Sequence, residues 1–82
     1  MILPMTEDFA HWERHPAGEE LIAMLSGACL LIIETEAGKT RTRLEAGKAV
    51  LVPTGAWHRA EILEPGEALF VTEGEGTQHR PL

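Results

Sequence analysis

The chain contains no tyrosine and only two phenylalanines and two tryptophans in 82 residues. A phenolic acid–base group is therefore excluded. Cys29 is the only cysteine, so no intrachain disulfide can form. It lies inside the run Ala28 to Ile33 and reads as a small buried hydrophobe rather than a reactive thiol. That run is the longest apolar stretch, far short of the ~20 residues of a helical membrane span. Positive charge is also scarce: seven Lys and Arg against thirteen Asp and Glu give a net charge of −6 and a pI near 5.1. Nucleic acid and anionic membranes are poor partners for such a chain. Its basic residues are scattered, with only Lys39, Arg41 and Arg43 close together. The opening Met1-Ile2-Leu3-Pro4-Met5 lacks the charged and long apolar regions of a secretory signal, so a cytoplasmic location is expected.

What is present is a globular composition, 44% hydrophobic, of a length that suits one domain over residues 1–82. Glycine and proline recur every eight to twelve residues, the punctuation of an all-β sandwich or barrel. Strands are predicted at Phe9 to His15, Glu20 to Leu25, Ala28 to Thr35, Thr40 to Leu44, Ala49 to Val52, Trp57 to Ile62 and Ala68 to Thr72. Turns are expected at Pro16–Gly18, Ser26-Gly27, Ala37-Gly38 and Glu64–Glu67, and the tail Gly74 to Pro81 reads as loop. Short connections favour antiparallel pairing. Closure of the sheet would remove its edges, and any edge left open would favour pairing with a second copy.

The stretch Gly47 to His58 is the most informative. An apolar strand ends at Pro53, Gly55 supplies a turn, and the returning strand places His58, Ala60 and Ile62 on one face. Upstream, Glu13 and His15 share a face of one strand, and the Pro16–Gly18 turn brings Glu20 back toward the same space. Imidazoles and carboxylates converging in a barrel mouth suit a divalent metal.

The spacing Gly47-x5-Pro53-x-Gly55-x2-His58 resembles the second motif of the cupin superfamily, with Ile62 where an Asn is usual. His15, Glu20 and Gly27 match the first motif, His-x-His-x3or4-Glu-x6-Gly, while Glu13 stands in place of its first His. The two motifs occupy residues 13–27 and 47–62, with 19 residues between Gly27 and Gly47. The resemblance implies a small antiparallel β-barrel of jelly-roll type. It also implies one divalent metal ion held at the positions of Glu13, His15, Glu20 and His58.

Glu13 makes the shell richer in oxygen, which favours Mn or Fe(II) and leaves Zn and Ni open. If only one Glu binds, two His and one carboxylate remain, an arrangement suited to Fe(II). The other reading pairs Glu13 with Arg14, Arg59 or Arg80 at the surface, with no metal. His11 shares the face of Glu13 and reads as a polar rim residue or an extra ligand. His79 is a candidate lid residue. Alternation assigns the pocket walls to Ile22, Met24, Val50, Val52, Ala60 and Ile62, with Leu69 and Val71.

Trp12 and Trp57 neighbour the candidate ligands and so face outward, together with Arg14 and Arg59. Either a homodimer interface covers them, or the N-terminal segment or the tail does. Three functions follow from the resemblance. One is a metal-dependent enzyme acting on a small organic acid or an oxygenated or aromatic molecule. The second is a small-molecule binding or sensing module, and the third a barrel used only for interaction. The scaffold does not choose among them.

Overall fold

A computed structural model describes residues 1–82, all in strands, turns and loops without a helix. No helix is therefore long and apolar enough to cross a membrane. The seven strands are β1 (Ile2–Met5), β2 (His11–Arg14), β3 (Glu20–Thr35), β4 (Gly38–Glu45), β5 (Ala49–Val52), β6 (Trp57–Thr72) and β7 (Gln78–Pro81). Every pairing is antiparallel, in the order β4-β3-β6-β2-β7, with β1 added to β6 and β5 to β3. This is the all-β jelly-roll architecture expected from the sequence. The sheet rolls around its core without closing, because no strand pair joins the β4/β5 flank to the β1/β7 flank. The open β4 edge carries Lys39, Arg41 and Arg43, charges that discourage pairing with another chain.

Two predicted turns are strand interior. Glu20 to Thr35 is one strand and Trp57 to Thr72 another, and they form a single ladder from Glu20↔Thr72 to Glu34↔Trp57. Its register is irregular between Met24 and Cys29, where two backbones cross closely. A Cβ on Gly66 would overlap the Ser26 carbonyl oxygen, and one on Gly27 would come within 2.5 Å of the Glu64 oxygen. Glycine is required there by space, and at Gly27 also by a φ of 74°. Pro65 falls inside the irregular stretch, where its missing N–H breaks no ladder bond.

The bulges shift the phase of β3, so Ile22 and Met24 face inward before them and Cys29, Leu31 and Ile33 after them. Strand β6 keeps its phase throughout, with Ala60, Ala68 and Phe70 inward. The expected inward pair Leu69 and Val71 is thus corrected: Val71 is 55% exposed, because no turn at Glu64–Glu67 resets the alternation. Cys29 is fully buried, its Sγ 4.0 Å from Met24 Sδ, and burial raises its thiol pKa.

Two strands were not expected. Both β1 and β7 contain proline, and each pairs with only one neighbour, the position in which proline is tolerated. The tail read as loop is therefore a strand beside β2, and it supplies the cover for the tryptophans. The Arg80 guanidinium lies 5.1 Å from the Trp12 ring centroid and 4.7 Å from that of Trp57. Arg59 and Lys39 also stack on Trp12, and Arg14 on Trp57. Trp12 is consequently only 5% exposed without any partner subunit.

Candidate functional site

Glu20 starts β3 and His58 is the second residue of β6, which places them at opposite ends of the shared ladder. Ile33, opposite His58, is thirteen residues from Glu20, roughly 43 Å along a straight strand. The whole molecule measures only 28 × 24 × 20 Å, so the ladder must fold back on itself. The bulged, glycine-bearing crossing lets it do so, and the two ends meet. His58 Nε2 lies 2.9 Å from Glu20 Oε1, and His15 Nε2 lies 3.2 Å from Glu20 Oε2. Glu13 is registered opposite His58 across the β2–β6 pair, with Oε1 3.6 Å from His15 Nε2. Glu13, His15 and His58 offer donor atoms that all lie within 4.8 Å of one another. Glu20 falls outside that mutual cluster, yet it contacts both imidazole nitrogens and so belongs to the same site.

The hydrogen bonds fix both imidazole tautomers. His58 Nδ1 is 3.0 Å from the Ala56 carbonyl oxygen, which can only accept, so Nδ1 carries the proton. His15 Nδ1 is 2.9 Å from Thr77 Oγ1, whose own hydroxyl hydrogen is donated to the Gly74 carbonyl oxygen at 2.8 Å. Thr77 therefore accepts, and His15 also carries its proton on Nδ1. Both Nε2 lone pairs then point into the site. These two atoms are the only buried side-chain polar atoms in the protein without a hydrogen-bond partner. They face carboxylate oxygens, and two lone pairs at 2.9 Å repel unless a cation lies between them.

At His58 the surroundings favour a proton in that place. Burial would lower the His58 pKa, but the hydrogen bonds to Glu20 and Ala56 and the charges of Glu20 and Glu13 raise it above 6.5. Burial would raise the Glu20 pKa, and hydrogen bonds from His58 and Thr72 with the charges of His58 and His15 bring it below 4.5. A divalent ion would take the place of the proton, and two deprotonated nitrogens with nearby carboxylates suit it chemically.

The alternative surface pairing of Glu13 is not formed. Arg14 donates to Gln78, Arg59 to Glu61 and Arg80 to Glu34. His11 packs edge-on against His79 at 6.3 Å between ring centroids, at the rim rather than at the cluster. His79 Nε2 comes within 4.0 Å of Glu13 Oε1 while remaining 60% exposed, a position at the mouth.

A cavity of about 410 Å³ opens beside the cluster. Its walls are Leu3 and Met5 of β1, Phe9 and Phe70, not the residues assigned by alternation. Ile22, Met24, Val52 and Ala60 lie in the closed core, with Val50 and Ile62 packed against it. Thr72 and Thr77 also line the cavity and carried no signal in the sequence. Thr77 sits in a polar tail without alternation, and β1 is disguised by its proline.

A family model described as "Cupin domain" matches residues 1–72. A search of curated proteins finds no significant match. Among solved structures, an oxalate oxidase in complex with the substrate analogue glycolate superposes with a TM-score of 0.75 at 17% identity, over 94% of this chain and 43% of that one. A variant of Bacillus subtilis oxalate decarboxylase gives 0.78 at 18% identity, over 99% of this chain and 22% of the other. A hydroquinone 1,2-dioxygenase in complex with Cd2+ and 4-hydroxybenzonitrile gives 0.72 at 20% identity, over 87% and 54%. The chain thus spans less than half of the oxalate oxidase chain, and at these identities the likeness is one of fold. With the family model covering 72 of its 82 residues and the fold in agreement, the chain belongs to the cupin family.

Proposed function

We propose that residues 1–82 work as one domain that binds a single divalent metal ion through Glu13, His15, Glu20 and His58. The observation that carries this reading is the pair of buried, unpartnered Nε2 atoms facing a carboxylate. Mn(II) centres in Bacillus subtilis oxalate decarboxylase and the Cd2+ of the dioxygenase complex support a metal in this fold. When bound, the metal would act as a Lewis acid with a coordination position for ligand. The chain's own groups hold the ligand: Glu13 and His15 orient it, and Leu3, Met5, Phe9 and Phe70 exclude water around it. The activity is that of a metal-dependent enzyme on a small organic acid or an oxygenated or aromatic molecule. The second reading, a non-enzymatic binding module, is favoured by the few groups available to move a proton, namely Glu13, Glu20 and His15. Elemental analysis of protein purified without chelator, choosing among Mn, Fe, Zn and Ni, tests the metal. About one equivalent per chain is expected, and metal-free protein that takes up none on titration would reject it.

We also propose a cytoplasmic homodimer. Its basis is the outer face of β5, β3 and β6, where Leu51 and Val71, 59% and 55% exposed, flank Leu21 from both sides. Ile2, 55% exposed, stands opposite Leu69 in the neighbouring row and widens this apolar face, which a second copy would cover. Light scattering should give twice the 9.0 kDa chain mass, and Leu51→Glu should restore the monomer.

A further inference from the structure

We infer that the mouth of the site carries a second, weaker divalent-metal site, built by His11 and His79 with Glu13 as its carboxylate. The β2–β7 ladder fixes the arrangement. Glu13 is registered opposite His79, and His11 opposite Pro81. His11 and Glu13 are two residues apart and share a face of β2. His79 joins that face from β7, directly across from Glu13 and diagonal to His11, within reach of long side chains. Its Nε2 lies 4.0 Å from Glu13 Oε1, and the two imidazole centroids are 6.3 Å apart with their planes at 74°. A nitrogen ligand at about 2.0–2.1 Å puts each ring centroid roughly 3.2 Å from the ion, so two rings on one ion stand about 5–6.5 Å apart. The observed spacing falls in that range. Both imidazoles are exposed, so ligation needs side-chain rotation and no movement of the strands.

The surroundings suit a cation. His11, Glu13 and His79 line a depression at the rim with Leu3, Phe9 and Ala10, and no Lys or Arg is among its walls. Arg14 and Arg80 point to the opposite face of the sheet, where both stack on Trp57. The Met1 ammonium lies in the adjoining cavity, bonded to the Phe70 carbonyl oxygen at 2.8 Å. Two imidazoles to one carboxylate make this site richer in nitrogen than the inner cluster, so it selects Zn(II), Ni(II) or Cu(II) over Mn(II). Ordering exposed side chains costs entropy, which makes the outer site the weaker one and leaves one tightly held ion per chain. His11 and His79 are absent from the inner group of donors, so the outer site does not require the inner one to be filled.

The test is calorimetric titration of the full metal-free chain with Zn(II), with NMR of the imidazole signals. Wild type should bind two equivalents, the second at least tenfold more weakly, and the His11 and His79 signals should shift in that second phase. His79→Ala and His11→Ala, changes at exposed side chains, should each lose the second phase and keep the first. Mn(II) should give no second phase. The inference is overturned if both variants bind Zn(II) with the stoichiometry and affinity of the wild type. Failure of the inner-site reading would look different, as a single equivalent that survives His58→Ala and is lost in His79→Ala.

Discussion

Glu20 and His58 stand at opposite ends of one β-ladder, yet their Oε1 and Nε2 atoms are 2.9 Å apart. The contact reports the roll of the whole sheet. Any change that straightens the ladder at its bulged crossing should therefore be felt at the site.

Gly66→Ala tests that link. The added methyl would meet the Ser26 backbone, and relief requires the two long strands to separate. A loss of about 1–3 kcal/mol in urea denaturation is expected. Metal affinity should fall with it, although Gly66 lies far from the site along the ladder. Unchanged affinity with lowered stability would show that the crossing does not control the roll.

Thr77 should act as a positioning residue. Thr77→Val removes the acceptor that holds the His15 proton on Nδ1. Loss of such a supporting hydrogen bond typically weakens metal binding by about 10–100-fold. Nitrogen-15 NMR of the metal-free variant should show His15 losing its uniform Nδ1-protonated tautomer, and Thr77→Ser should restore it. A purely structural role would leave the tautomer unchanged.

The metal-free protein should be most stable between about pH 4.5 and 6.5. The raised pKa of His58 contributes stability that is complete below 6.5 and is lost as pH rises through the folded value. The lowered pKa of Glu20 contributes stability present above 4.5 and lost as pH falls through its folded value. Urea midpoints at pH 5.5 and 8.5 should differ in that sense, and His58→Gln should flatten the alkaline slope. Added metal should reverse the trend above neutrality, because it replaces the proton that high pH removes.

The strand-turn-strand around Pro53 and Gly55 was legible because turn chemistry and alternation agree there. Two-residue spacing and a short reversal also made it legible that Glu13, His15 and Glu20 face one space. The arrival of His58 from a distant strand was implied only by the cupin resemblance, and it depends on the roll of the ladder. The joining of strands across Ser26-Gly27 and Glu64–Glu67 was not legible, because glycine and proline mark both turns and bulges. That ambiguity alone inverted the facing of Leu69 and Val71. The tail was opaque for a different reason: Gln78, His79 and Arg80 form a strand through pairing with β2 and stacking on tryptophan, which polar sequence does not display.

The most direct measurement is calorimetric titration of the metal-free protein with Mn(II), Fe(II), Ni(II) and Zn(II), in wild type and three variants. At least one of these ions should bind the wild type at one equivalent, and more weakly as pH drops below the imidazole range. His15→Ala and His58→Ala should each abolish tight binding, because each removes a buried Nε2 from the cluster. His11→Ala should retain most of it, since His11 packs on His79 at the rim. Equal binding by wild type and His58→Ala would contradict the account.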